Sequence, residues 1–187
     1  MPAGVPGGKY VIGLDLGRVV DPSAYVVLDL QSMQVVSEEV RQLKEPHEIG
    51  SRYAAQMCAR WGKCPMVIDT TGGGGGSVKK KPDQYVKLYR ETVRHARPFY
   101  FTKDTKRNAV EQLVLGIEQG KIGIPAECSQ LLRQLAEYEY RLNSTGYVEY
   151  SAPAGLHDDL VMALAMAYDY AVRNGSSVKP VDLSTIM

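Results

Sequence analysis

KYVIGLDLG, residues 9–17, is the segment from which the fold of this chain is best deduced. Its aromatic and β-branched residues predict a β-strand, and the glycine that follows predicts a turn. Asp15 lies between Leu14 and Leu16, so an ionisable side chain stands inside an apolar strand. Burying a carboxylate costs free energy unless a cation or hydrogen bonds compensate for it. Asp15 therefore has either a structural hydrogen-bonding role or a functional one, and this residue alone favours neither.

Two further segments place acids beside apolar elements. PMVIDT, residues 65–70, predicts a short buried strand that ends at Asp69, and HDDLVMALAMAY, residues 157–168, predicts a helix that opens with Asp158 and Asp159. Taken singly, an acid in these positions commonly serves a turn or a helix N-terminus. If the first strand lies beside the strand of Asp69, however, the acids of both strands meet, and the helix can bring its first turn over them.

Carboxylates gathered in this way predict bound metal. Three or four of them within a few ångströms repel one another, and some stay protonated unless a cation is present. Oxygen-only ligands suit hard ions such as Mg²⁺ or Mn²⁺ rather than zinc. Two such ions about 3.5–4 Å apart are a known arrangement for in-line attack on a phosphodiester, with one activating water and the other stabilising the leaving oxygen.

The bulk composition restricts the class of protein. With 187 residues, 44% hydrophobic and 23% charged, the chain is long enough for one well-filled core. No apolar run approaches the roughly 18 residues of a membrane span and the N-terminus lacks a signal-peptide pattern, so we expect a soluble, cytoplasmic protein without a membrane partner. The three cysteines lack CxxC spacing and suggest reduced thiols. A net charge of +1 neither requires nor excludes nucleic acid.

The apolar segments predict an α/β order of elements. Short links imply an antiparallel meander for the first three strands, and the following alternation of strands and helices is typical of parallel strands with helices on the faces. The predicted strands are 9–16, 24–30, about 33–42, 65–69 and 98–102, with a brief edge strand at 121–124 and a hairpin over 138–150. The predicted helices begin near Pro46 and cover about 83–95, 105–119 (capped by Thr105 or Asp104), 127–138 and 158–173.

Four motifs together resemble the nuclease domain of the large terminase subunit of tailed phages. They are GLDLG with Asp21 beyond its turn, VIDTTGGGG, NAVEQLVLGIEQGKIGIP and the closing HDDLVMALAMA, in matching order and spacing over nearly all of residues 9–172. The resemblance implies an RNase H-like α/β fold related to RuvC resolvases. Its mixed sheet has five or more strands, three antiparallel and then parallel ones, with helices on both faces and a β-hairpin in the C-terminal half. We expect one domain over 9–173, a flexible segment 1–8 and a tail 174–187.

The same resemblance implies an activity. By this resemblance we expect a metal-dependent endonuclease that cuts double-stranded DNA with little sequence specificity during viral genome packaging, in the cytoplasm of an infected cell. The resemblance also implies that Asp15, Asp69 and one or both of Asp158 and Asp159 hold two divalent cations, Mg²⁺ or Mn²⁺. Large terminases also carry an N-terminal ATPase motor and act with a portal and a small terminase subunit. The glycine run at 72–76 is not a P-loop, because no Gly-Lys-Ser/Thr follows it.

Other residues are candidates for assisting roles. His157 is suited to orient a carboxylate or approach the scissile phosphate, although a histidine beside a helix start is commonly a surface hydrogen-bonder. Asp21 resembles a residue of the family's first motif, but Asp-Pro-Ser is itself a good turn. Basic side chains are candidates for DNA phosphate contacts, with a solvated surface role as the alternative. They are Lys79, Lys80, Lys81, Lys103, Lys106 and Arg107.

Two other classes of protein stay open. GLDLG and DTTGGGG also resemble the phosphate loops of actin-like ATPases and sugar kinases, which would make this chain an ATP-binding phosphotransferase fragment. Those proteins need two lobes, and the chain has length for one. A catalytically inactive RNase H-like module that only binds DNA or a portal-type partner is the third possibility, and the intact acidic set argues against it.

Overall fold

The structure, a computed structural model, describes residues 2–17, 22–41, 47–71, 84–142, 148–151 and 157–174, with only the backbone described at 47, 84–86, 139–142 and 148–151. Within these residues the elements follow the predicted order. The strands are β1 (Tyr10–Asp15), β2 (Ser23–Asp29), β3 (Val35–Arg41), β4 (Met66–Asp69), β5 (Ala96–Phe99), β6 (Glu139–Leu142) and β7 (Val148–Ser151). The helices are α1 (His47–Arg60), α2 (Gln84–Thr92), α3 (Lys103–Glu118), α4 (Ser129–Glu137) and α5 (Asp159–Arg173).

Five strands form one mixed sheet in the order β3-β2-β1-β4-β5. β1 pairs antiparallel with β2, and β2 antiparallel with β3, because the connections between them are short. β1 pairs parallel with β4, and β4 with β5, with a helix in each crossover. β6 and β7 form a separate antiparallel hairpin. The predicted arrangement, with β1 beside the strand of Asp69, is confirmed.

Helices cover both faces of this sheet, as predicted. Alternating side chains of β1 point to opposite faces, so Val11 packs with α3, α4 and α5 while Ile12 packs with α1 and α2. β4 divides in the same way between Val67 and Ile68. Cys58, Cys64 and Cys128 are buried and free. In the described part of the chain, no helix is long and apolar enough to cross a membrane.

Helix α5 is the central helix of the larger layer and is buried along most of its length, from Leu160 to Asp169. It lies directly against β1 at Gly13, where a Cβ atom would overlap the carbonyl oxygen of Ala163. A glycine in the middle of a buried strand is unfavourable on propensity alone, and close approach of another backbone is one reason to keep it. This contact brings the start of α5 to the strand that ends at Asp15.

Local details differ from the predicted boundaries. The N-cap of α3 is Thr102, which forms a capping box with Thr105, so the predicted cap at Thr105 or Asp104 was wrong. β5 begins at Ala96, two residues earlier than predicted, and contains Pro98. Since β5 is an edge strand, a proline without an N–H is tolerated there. The predicted edge strand at 121–124 is a single bridge between Gly123 and Gln34.

Candidate active site

Two acids of the site come from neighbouring parallel strands. Leu14 of β1 is paired with Ile68 of β4, so Asp15 and Asp69 are the next residues along both strands. Parallel strands end at the same edge of a sheet, and these two carboxylates therefore lie side by side at the carboxyl edge of β1 and β4. Asp15 and Asp69 meet because β1 lies beside β4, which is the condition under which the sequence predicts their meeting.

The other two acids come from the first turn of α5. Asp158 is the N-cap residue and Asp159 the first helical residue, and the Asp159 side chain is only 16% exposed. The Asp158 side chain makes no capping hydrogen bond, although capping is what an aspartate in this position usually does. The Asp158 side chain therefore does not cap α5, although helix capping is the usual structural role of an aspartate in this position.

The acids of all three segments act electrostatically on Asp15. Burial raises the pKa of Asp15 well above its ordinary value, and the negative charges of Asp69, Asp159 and Asp158 raise it further, while Lys106 lowers it. Charges act on one another in this way mainly over short distances, since solvent and salt screen remote pairs. Asp15 is therefore a buried acid with acids of the other two segments in its surroundings.

Asp69 combines a structural contact with its place in the cluster. Its Oδ1 accepts a hydrogen bond from the Thr71 backbone N–H at 2.7 Å, which is the turn contact expected of an aspartate that ends a strand. The bond orients the carboxylate at the end of β4. The turn role and the site role therefore coexist in this residue.

One lysine and one histidine contact the acids of α5. The Lys106 ammonium of α3 lies 3.3 Å from Asp158 Oδ2, with both side chains partly exposed. His157 Nδ1 lies 3.3 Å from Asp159 Oδ2, and the imidazole is largely exposed. The sequence suggested Lys106 for the DNA groove, but its direct contact with Asp158 was missed, because nothing in the pattern of α3 relates it to a residue 52 positions later.

The chemistry of this cluster fits hard divalent ions. Its donors are the carboxylate oxygens of four aspartates, without a thiolate, which is a set suited to Mg²⁺ or Mn²⁺. As the side chains stand, no group of three or more His, Cys, Asp or Glu residues among the described ones is arranged to hold a metal ion. Two of the four carboxylates are engaged by neighbouring side chains, Asp158 by Lys106 and Asp159 by His157.

Two of the remaining candidates, Lys103 and Arg107, lie in the first turns of α3. Lys103 is exposed at the start of α3, and Arg107 pairs with Asp104 at 3.4 Å rather than with the acids of the site. Asp21, Lys79, Lys80 and Lys81 lie outside the described residues. Their assisting and DNA-binding roles stay predictions from the sequence.

Comparison with curated proteins finds large terminase subunits. No protein-family model matches the chain. The large terminase subunit of Thermus virus P23-45 is 27% identical over 173 residues, which cover 87% of this chain and 32% of that protein. The large terminase subunit of Thermus phage G20c is 26% identical over the same length and with the same coverage. The chain thus spans about a third of the length of these relatives.

Comparison with solved structures finds the nuclease domains of such subunits. The crystal structure of the large terminase nuclease from thermophilic phage G20c with bound magnesium has a TM-score of 0.78 at 24% identity, over 89% of this chain and 84% of that one. The nuclease domain of bacteriophage SPP1 with bound Mn has a TM-score of 0.59 at 13% identity, over 87% and 86%. The chain therefore resembles phage large terminase subunits in sequence and has the RNase H-like fold of their nuclease domains.

Proposed function

We propose that this chain is a metal-dependent endonuclease that cuts double-stranded DNA with little sequence specificity. The single observation that carries the proposal is the placement of four acids around one edge of the sheet: Asp15 and Asp69 end the paired strands β1 and β4, and Asp158 and Asp159 open α5, which packs against β1 at Gly13. The resemblance to metal-bound terminase nucleases supports the same activity.

We assign the binding of two divalent cations, Mg²⁺ or Mn²⁺, to these four aspartates. Asp15, Asp69 and one or both of Asp158 and Asp159 would hold these ions, and Asp15 interacts electrostatically with the other three acids. When bound, the ions would polarise water and stabilise the charge that develops on the phosphate and the leaving 3′ oxygen. Catalysis by the chain itself then consists of holding these carboxylates in place and of excluding other orientations of the phosphodiester.

The two groups that pair with the acids are assigned to the substrate. Lys106 carries a positive charge at the rim of the cluster, where a DNA phosphate would offer it a second anionic partner. His157 contacts Asp159 through Nδ1 and is exposed, so it is placed to orient that carboxylate and to approach the strand. Since these contacts address phosphates rather than bases, cutting should depend little on base sequence and should weaken as salt rises.

The wider role follows from the relatives and is proposed on that basis. Large terminase subunits match over about a third of their length, and the chain corresponds to their nuclease domain. We infer that it cuts DNA during viral genome packaging, together with an ATPase domain, a portal and a small terminase subunit. The site of action is then the cytoplasm of the infected host cell.

A plasmid assay tests the proposed activity. Incubation of the purified chain with supercoiled plasmid and Mn²⁺ should give nicked and then linear DNA, and an excess of EDTA should stop the reaction because the carboxylates alone cannot stabilise the transition state. Intact plasmid in the presence of Mn²⁺ would contradict the proposal. ATP binding without cleavage would favour the kinase-like alternative instead.

Lys106→Met tests the substrate role of the lysine. If Lys106 neutralises one phosphate, the slope of log affinity against log salt concentration should fall by about 0.9 in fluorescence anisotropy titrations with a short DNA duplex. Lys121→Met is a matched control, because Lys121 is exposed and follows the far end of α3. Equal slopes for the parent and Lys106→Met would remove this residue from the DNA contact.

A further inference from the structure

We propose that Gln134 is a positioning residue that takes over helix capping from Asp158 and thereby leaves the Asp158 carboxylate to the metal site. The inference rests on the proposed function for its catalytic meaning. The replacement of Asp158 by Gln134 as the hydrogen-bond acceptor at the start of α5, here called the exchange of the cap, concerns the metal-free protein and is testable separately.

The hydrogen bonds at the start of α5 carry the proposal. An N-cap aspartate ordinarily accepts a hydrogen bond from the backbone N–H of the second or third helical residue. Asp158 is the N-cap of α5, and the second helical residue is Leu160. The Leu160 N–H donates to Gln134 Oε1 at 2.9 Å, and the Asp158 side chain makes no capping bond. A side chain from another helix therefore accepts the bond that would otherwise draw the carboxylate back onto its own helix.

Burial makes this hydrogen bond costly to lose. Gln134 lies on α4 and is 8% exposed, beside the fully buried Leu131. A buried amide oxygen or backbone N–H that is left without a partner carries the full cost of its desolvation. The Leu160 N–H donates to Gln134 Oε1, so each group has its hydrogen-bond partner in the other. A shift of Gln134 would therefore break a hydrogen bond at the start of α5.

The position of Gln134 is itself fixed by a similar contact. The α4 N-cap, Cys128, makes no side-chain capping bond. Instead, Glu38 of β3 accepts hydrogen bonds from Gln130 N at 3.1 Å and from Leu131 N at 2.8 Å. Glu38 thus holds α4 against the sheet, and Gln134 holds α5 against α4. These two contacts connect the edge of the sheet to the acids of the site.

The released carboxylate faces the cluster. Asp158 Oδ2 lies 3.3 Å from the Lys106 ammonium, a group that also acts electrostatically on Asp15. A carboxylate turned back to cap Leu160 would lose this orientation. Partners that orient metal ligands typically change metal affinity by about 10–100-fold when they are removed.

Calorimetric Mn²⁺ titration of the full chain tests the effect on the site. Gln134→Met keeps the length of the side chain but removes the acceptor, and Gln134→Asn withdraws the acceptor by one methylene in case the first variant does not fold. We expect each folded variant to bind Mn²⁺ about tenfold more weakly than the parent. Arg133→Met is the matched control, because Arg133 is exposed beside Gln134 on the same helix, and its replacement should keep the Mn²⁺ affinity of the parent.

Thermal unfolding in EDTA tests the exchange of the cap without metal. In the parent, Asp158 does not cap, whereas in Gln134→Met it is free to do so. Adding Asp158→Ala should therefore lower the melting temperature by about 3 °C more in the Gln134→Met background than in the parent. Equal losses in both backgrounds, or an unchanged Mn²⁺ affinity in a folded Gln134 variant, would overturn the inference. A parent that binds no Mn²⁺ would instead refute the proposed function, while the result in EDTA still decides the exchange of the cap.

Discussion

Asp15→Asn should abolish Mn²⁺-dependent nicking of supercoiled plasmid. Asparagine matches the size of aspartate but lacks the negative charge that a central metal ligand supplies. Loss of a residue that merely orients a ligand costs up to about 100-fold, so loss of the ligand should cost at least that much. Because the charge of Asp15 is unfavourable beside three other acids, the metal-free variant should unfold at a temperature no lower than that of the parent. Gel assays and thermal unfolding in EDTA measure the two effects.

Asp29→Asn is the matched control. Asp29 also ends a strand, but β2 runs antiparallel to β1, so that Asp29 is paired with Tyr10 at the opposite edge of the sheet. Its Oδ1 accepts from Gln31 N at 2.7 Å, and an asparagine oxygen preserves this bond. Asp29→Asn should therefore nick plasmid at the rate of the parent. Full activity in Asp15→Asn would refute the assignment of Asp15 to the metal site.

The second large effect is expected from one added methyl group at Gly13. In Gly13→Ala the new Cβ would overlap the carbonyl oxygen of Ala163, so α5 must move away from β1. Overpacking of this kind costs about 3 kcal/mol, which corresponds to a fall in melting temperature of roughly 6–12 °C in a chain of this size. The displaced helix also carries Asp158 and Asp159 away from Asp15, and a misplacement of about 1 Å can reduce the rate about 100-fold.

Gly116→Ala provides the comparison for Gly13→Ala. A Cβ at Gly116 would meet the hydroxyl and ring atoms of Tyr168, a buried side chain of α5, rather than the backbone of α5 beside β1. Tyr168 lies nine residues after Asp159, so this overlap is remote from the acids at the start of the helix. We expect Gly116→Ala to lose stability but to nick plasmid at a rate close to that of the parent. An equal loss of nicking in both variants would show that the contact of α5 with β1 at Gly13 does not set the position of the acids.

The fold could be predicted because its signals are local and periodic. β1, β2 and β4 are largely apolar runs, and the short links between the first three strands leave only an antiparallel meander. Asp15 and Asp69 meet because β1 and β4 pair in parallel, and the order of strands and helices along the chain makes this pairing possible to predict. Where local signals compete, prediction failed: two threonines and an aspartate near the start of α3 are all acceptable caps, and only the structure selects Thr102.

Contacts between distant segments could not be predicted in the same way. Lys106 meets Asp158 because α3 and α5 pack side by side, and the charge pattern of α3 does not encode that partner. Gln134 lies three residues after Leu131 and directly before Leu135, so the sequence shows a polar side chain within the apolar stripe of α4. The structural role of Gln134 depends on the hydrogen bond that it accepts from the Leu160 N–H, 26 residues further along the chain. A polar residue within an apolar helical stripe was the one available signal.

Anomalous diffraction from a crystal soaked in Mn²⁺ tests the central claim most directly. We expect two anomalous peaks about 3.5–4 Å apart, enclosed by Asp15, Asp69 and the acids at the start of α5. Asp15→Asn crystals soaked in the same way should lose at least one peak. An absence of anomalous signal among these carboxylates in the parent, with Mn²⁺ present in excess, would contradict the account.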